Sequence, residues 1–117
     1  MTDTIIYGIK NCDTMKKAFK WLEANEVEFT FHDYKKQGID EAVLRDAIKQ
    51  HGWESVINRR GTTWRKLPDD VKEAMDDVAA LKIAAENPSI VKRPLLIYQG
   101  NITLGFKDVE YAAIFNN

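Results

Sequence analysis

Cys12 is the only cysteine in the chain, and it lies where a thiol can become a nucleophile. The stretch Tyr7-Gly8-Ile9-Lys10-Asn11-Cys12-Asp13-Thr14-Met15-Lys16-Lys17-Ala18 runs from an apolar segment, through a turn containing Gly and Asn, into the first turn of a helix. The first N–H groups of a helix have no partner within it and carry partial positive charge. A thiolate set there accepts them, so its pKa falls and more of it is ionised near neutral pH. The thiolate, not the thiol, is the attacking species. Position alone leaves a second reading open at equal weight: free cysteine is also a small apolar side chain that is often buried. A lone cysteine forms no internal disulfide, so any oxidation of Cys12 must be resolved by a thiol from another molecule.

The other candidates are mostly cations. Lys10 precedes the cysteine, Arg60 stands in the turn signal Asn58-Arg59-Arg60-Gly61, Arg93 precedes Pro94, and Lys107 comes late in the chain. Taken singly, such residues are solvated charges or simple ion pairs. Gathered around a sulfur they would lower its pKa and hold an anionic substrate. Asn11 is either a plain turn former or, with the N–H groups of Asp13 and Thr14, part of a backbone nest for the thiolate. Asp13 reads as a first-turn acid on the solvent side. His32 falls in an alternating strand and His51 near a helix end, and neither is assigned to catalysis. Two histidines and one cysteine, without Cys-x-x-Cys or His-x-x-x-His spacing, predict no metal site. Trp53 and Trp64 read as packing residues.

The elements that must position these groups follow from periodicity. Thr4–Ile9 is short, β-branched and apolar, as suits a strand covered on both faces. Met15, Ala18, Phe19 and Leu22 recur at helical spacing, giving an amphipathic helix to about Asn25. Glu28–Tyr34 alternates, with Phe29 and Phe31 on one face, and completes a βαβ unit with parallel pairing. Asp40 is the expected N-cap of the next helix, with Ile39 and Leu44 as a hydrophobic staple, Val43, Leu44, Ala47 and Ile48 as its buried stripe and Gly52 as its stop. Pro68 with Asp69 and Asp70 opens a third helix, which breaks near Asp76-Asp77, resumes, and ends at Asn87-Pro88. Leu95–Tyr98 and Ile102–Leu104 form a β-hairpin around Gln99-Gly100-Asn101, where Gly and Asn tolerate positive φ. Asp108 starts a last helix that offers Val109, Ala112, Ala113 and Phe115 for burial. The order β-α-β, helices, β-β-α predicts an α/β fold with a mixed four-stranded sheet, and a cysteine in its first βα turn lies at the carboxyl end of a strand, where open α/β sheets place ligands.

A chain of 117 residues fits one domain, expected to span 1–117 with a helical insertion over about 40–87. Hydrophobic residues at 44% and charged residues at 30% describe an ordinary soluble protein. No apolar run approaches the roughly 20 residues that cross a bilayer, and Met1-Thr2-Asp3-Thr4 is not a basic leader, so the expectation is a cytoplasmic protein without membrane contact. A net charge of −1 argues against nucleic acid as partner.

With these residues in view, the chain resembles the arsenate reductase (ArsC) family, and within it the YffB/Spx-like branch. Three segments carry the resemblance: Tyr-Gly-Ile-Lys-Asn-Cys-Asp-Thr at 7–14, Arg-Gly-Thr-Thr-Trp-Arg-Lys-Leu at 60–67 and Lys-Arg-Pro-Leu-Leu at 92–96. The resemblance implies a thioredoxin-like fold with a helical insertion before the final hairpin. It makes Cys12 the nucleophile, Arg60 an anion-binding arginine, and Arg93 the arginine before a proline, Pro94, that is cis in such folds. It implies a glutathione-dependent thiol reductase with no tightly bound cofactor, with glutathione as co-substrate and glutaredoxin or another thiol protein as partner; a monomer is the separate expectation. Lys10, Asn11, Arg60, Arg93, Pro94 and Lys107 would bind the substrate. Two alternatives come with the family. One is a true arsenate reductase, although such enzymes carry a histidine four residues before the cysteine and a late third arginine, where this chain has Gly8 and Lys107. Lysine lacks the planar fork that suits an oxyanion. The other is a non-catalytic regulator that binds RNA polymerase. Met15 stands three residues after Cys12, in the place of a second cysteine, which excludes an intramolecular disulfide switch.

Overall fold

The β-branched run at the start and the helical spacing after Cys12 become β1 (Thr4–Gly8) and α1 (Asp13–Ala24). The computed structural model describes residues 4–115. They gather into two compact units, one made of the residues up to Asp33 and those from Arg93 onward, the other of Tyr34–Lys92.

In the first unit, β2 (Thr30–Asp33) runs parallel to β1, with Ile5 opposite Thr30 and Gly8 opposite Asp33. The hairpin of β3 (Leu95–Tyr98) and β4 (Asn101–Leu104) adds two antiparallel strands, Ile6 facing Leu96 across the β1–β3 pair. The sheet order is β2-β1-β3-β4, the mixed four-stranded arrangement that the sequence predicts. The apolar stripe of α1 (Met15, Ala18, Leu22) meets Ile6 and Leu96 of the sheet and Tyr111 of the last helix in one fully buried cluster. Phe19 extends it, stacking on Phe29 at 5.6 Å and meeting Phe31 edge-on at 5.1 Å. Burial of this set is what holds the first helix to the sheet.

Three expectations change here. The second strand is shorter than Glu28–Tyr34 at both ends: it starts at Thr30, and Tyr34 leaves it to begin a one-turn helix, α2 (Tyr34–Gln37). The hairpin loop consists of Gln99 (φ 51°) and Gly100 (φ 82°), while Asn101 belongs to β4. Two successive positive φ values match the right-handed twist of the flanking strands. The last helix (Asp108–Phe115) buries a different face, as its turn toward the core is set by Tyr111; Val109 is 78% exposed and Ala113 is exposed.

The second unit is helical. After α2 come α3 (Glu41–His51), α4 (Trp53–Val56), α5 (Thr62–Arg65), α6 (Asp69–Glu73) and α7 (Asp77–Glu86), then a 3-10 turn at Pro88–Ile90. Gly52 stops α3 at φ 83°, as a glycine there should. Asp76 caps α7 by accepting the Ala79 N–H at 2.8 Å. Leu44, Ala47 and Ile48 of α3 are buried, as are Ala80 and Ala84 of α7, while Val43 is half-buried. The unit is tied internally by an antiparallel bridge between Ile57 and Val91 and by Tyr34 Oη donating to the Val91 carbonyl at 3.1 Å. That buried hydrogen bond explains why Tyr34 turns away from the strand pattern. The first unit closes with α8 (Asp108–Phe115).

Candidate active site at the start of the first helix

β1 ends at Gly8, and four residues later Cys12 is the N-cap of α1, in extended conformation (φ −135°, ψ 130°). Its carbonyl accepts the Lys16 N–H at 2.9 Å, which closes the first helical turn and leaves the earlier amides of that turn free of helical partners. The thiol is half-buried and packs against the α1–sheet cluster.

Opposing influences act on this thiol. Burial raises its pKa and is the largest of them. The Met15 N–H, a hydrogen bond from the Arg93 guanidinium, the Thr14 N–H and the Arg93 charge lower it, and together they prevail, so the thiol lies below its ordinary value of 9.0. No side-chain cap hydrogen bond forms at Cys12; the two amides act as aligned dipoles, with Arg93 as the formal charge. The amides concerned are those of Thr14 and Met15, one residue further into the helix than the expected Asp13 and Thr14. Asp13 is exposed, on the solvent side as expected.

The sheet explains how Arg93 reaches this point. β1 and β3 are antiparallel with Tyr7 opposite Leu95, so the chain leaving β1 and the chain entering β3 share one edge of the sheet. Arg93 immediately precedes that entry, half-buried, and Pro94 is buried. The Arg93–Pro94 bond is cis, as the resemblance implies. The Pro94 carbonyl accepts the Gly105 N–H at 2.9 Å, which ties the segment to the far end of the hairpin.

The structure therefore brings Cys12 and Arg93 together, with Pro94 following Arg93 in the chain. Lys10, Asn11 and Lys107 belong to the same unit and are exposed. Arg60 belongs to the second unit, where it is exposed on the Asn58–Gly61 turn, its N–H donating to Asn58 Oδ1 at 3.2 Å. Its neighbour Arg59 is the one engaged, pairing with Glu54 at 3.9 Å and lying over the Trp53 ring at 5.7 Å. Trp53 stacks on Trp64 at 6.1 Å, which fits their reading as packing residues. Sequence reasoning missed Met15 as a contributor. The rule that an N-cap side chain takes the N–H of the second or third helical residue names Thr14 and Met15 once Cys12 is the cap. It also missed what Gly8 does, although a glycine closing an apolar strand signals a close approach.

Among the described residues no group of three or more His, Cys, Asp or Glu side chains is placed to hold a metal ion, and no helix is long and apolar enough to cross a membrane. What the site offers is an ionisable sulfur, partly accessible, beside a fixed guanidinium. That arrangement suits attack on an electrophilic sulfur or other soft centre carried by an anionic molecule.

The profile of the ArsC family matches residues 7–114. An uncharacterized protein of Haemophilus influenzae is 46% identical over 110 residues, covering 94% of this chain and 96% of its own. The solved structure of the YFFB (PA3664) protein superimposes with a TM-score of 0.91 at 47% identity, covering 94% of this chain and 96% of that one. The global transcriptional regulator Spx of Streptococcus pyogenes is 29% identical over 109 residues, covering 91% of this chain and 80% of the regulator. The glutaredoxin of Archaeoglobus fulgidus, 14% identical, covers 100% of this chain and 89% of its own with a TM-score of 0.51 and shares the fold alone, which is thioredoxin-like.

Proposed function

Since the chain belongs to the ArsC family, we propose that it is a thiol oxidoreductase of the cytoplasm in which Cys12 is the nucleophile and glutathione the co-substrate. The observation that carries this reading is the Cys12 sulfur held at the α1 start beside Arg93, with its pKa lowered. The Cys12 thiolate attacks the glutathione sulfur of a mixed disulfide, forming a Cys12–glutathione disulfide and expelling the other sulfur as a thiolate, which takes a proton from water. A second glutathione thiolate then attacks the glutathione sulfur on Cys12, giving oxidised glutathione and returning the Cys12 thiolate. The net reaction converts one mixed disulfide and one glutathione into one thiol and one glutathione disulfide. A glutaredoxin-type thiol protein would serve in the second step as well. Arg93 stabilises the thiolate both as attacking and as leaving group, and Lys10 and Lys107 supply charge for the carboxylates of glutathione.

Titration of the labelled protein with glutathione, followed by amide chemical shifts, tests the reading. Shifts at Cys12, Thr14, Met15 and Arg93 support it, and their absence at millimolar glutathione sinks it. The resemblance also gives Arg60 an anion-binding role, which the Arg60→Ala variant tests in the same titration. Gly8 and Lys107, in place of a histidine and an arginine, favour a thiol substrate over arsenate, and arsenate-dependent consumption of glutathione would reverse that preference. The likeness to Spx supports a second reading, a regulator that binds RNA polymerase; co-purification with polymerase subunits together with no effect of glutathione would favour it.

A further inference from the structure

Gly8 has no positive φ, so its backbone conformation does not call for glycine. Space does: a Cβ at this position would fall on Sδ and Cε of Met15, far inside contact distance. Met15 cannot simply retreat. It is fully buried in the cluster formed with Ile6, Ala18, Leu22, Leu96 and Tyr111, and moving its thioether means repacking that cluster. The N–H of the same residue lowers the Cys12 pKa as an aligned dipole, without closing a cap hydrogen bond. Met15 thus bears on both ends of the turn that carries the thiol: its side chain packs on the last residue of β1, and its amide dipole acts on the sulfur.

We propose that Met15 is a positioning residue for Cys12: its thioether, seated on Gly8, clamps the first turn of α1 to the end of β1 and so holds the Met15 N–H against the sulfur. Side-chain size at positions 8 and 15 is consequently coupled, and a residue larger than glycine at 8 requires a smaller one at 15. The inference rests on the reading of Cys12 as a working thiolate.

The test is the pH dependence of iodoacetamide alkylation in the full chain, where Cys12 is the only thiol. The ratio of the rate at pH 7 to the plateau rate at high pH reports the thiolate fraction and is insensitive to simple changes of access. Gly8→Ala and Met15→Ala should each lower that ratio roughly threefold or more, while Met15→Leu, of similar volume, should stay within about twofold of wild type. The double variant Gly8→Ala/Met15→Ala should recover part of the loss, because the new Cβ occupies room the thioether has left. Where Met15→Ala fails to fold, Met15→Val, which lacks the thioether and terminal methyl, should show the same loss. Unchanged ratios in Gly8→Ala and in Met15→Ala or Met15→Val overturn the clamp, as do single losses that merely multiply in the double variant. A wild-type thiol that titrates at or above its ordinary value overturns the thiolate reading itself, a different result from either.

Discussion

Replacing Tyr111 by phenylalanine should make the protein more stable. Tyr111 is fully buried, and among the described residues its hydroxyl is a buried polar group without a hydrogen-bond partner. The ring is held by aromatic neighbours, with Trp21 edge-on at 5.6 Å, Phe106 edge-on at 4.8 Å and Phe115 at 6.2 Å, all of which phenylalanine keeps. In the unfolded chain the hydroxyl is hydrated, and leaving such a group unpaired in the interior costs about 1–3 kcal/mol. Tyr111→Phe should therefore raise the unfolding free energy in urea by about 1–2 kcal/mol, or Tm by about 4 °C or more. A second signature comes from ionisation. Burial first, and the charge of Glu110 second, push the Tyr111 pKa well above its ordinary 10.0. The folded state thus favours the protonated phenol: below the unfolded value both states hold the proton, and as pH rises past it only the unfolded state releases it. Wild type should then lose about 1.4 kcal/mol per pH unit from this group, a loss the phenylalanine variant does not share. The stability gap should be constant below pH ~10 and widen above it. A variant less stable than wild type by about 1 kcal/mol or more would show that the hydroxyl is bonded in the core, and a gap that stays flat through alkaline pH would refute the argument from burial.

Arg93→Met should raise the Cys12 pKa and slow its alkylation at pH 7 while leaving the high-pH plateau near wild type. Because the folded value is depressed, the thiolate's contribution to stability is complete above the ordinary 9.0 and is lost as pH falls through the folded value; stability relative to Cys12→Ala should thus decline on acidification, and less so in the Arg93→Met background. Asp76→Ala removes the cap that accepts the Ala79 N–H at 2.8 Å and should cost about 1 kcal/mol, read by urea unfolding and by faster amide exchange in the first turn of α7. Gln99→Asn places a residue tolerant of positive φ at the first loop position of the β3–β4 hairpin, now at φ 51°; it should stabilise by a few tenths to about 1 kcal/mol, and a destabilised variant would count against a turn-strain explanation.

Much of this arrangement is legible in the chain because its signals are local. The helix after Cys12, the helix start at Asp40, the stops at Gly52 and Asn87-Pro88, the break near Asp76-Asp77 and the two strands of the hairpin each rest on residues within a few positions of one another, although the Asp40 side chain makes no cap hydrogen bond. Hidden features depend on partners remote in sequence. Tyr34 reads as the end of an alternating strand until its hydroxyl is seen to need the Val91 carbonyl, 57 residues away. In the last helix, alanines, a valine and a phenylalanine permit several faces, and only the aromatic pocket around Tyr111 selects one. Gln99 carries no turn signal of its own and takes positive φ because the strands on either side require that twist. At the site, Cys12 and Arg93 are both visible in the sequence, but their proximity follows from strand register. The contact between Met15 and Gly8 is invisible to periodicity, since it joins a helix residue to a strand residue across a turn.

The antiparallel pairing of β1 with β3, Thr4 opposite Tyr98, also sets when the thiol can acquire its properties. Residues Tyr34–Lys92 intervene between the two strands and form a unit from one continuous stretch, whereas the sheet unit needs both ends of the chain. Closing so long a loop is costly in entropy before any contact rewards it. During synthesis Cys12 leaves the ribosome long before Arg93 does, and until the last strands are in place the cysteine lacks the guanidinium that lowers its pKa. The contribution of Arg93 to the Cys12 pKa is thus a property of the finished sheet, absent while only the first half of the chain has folded.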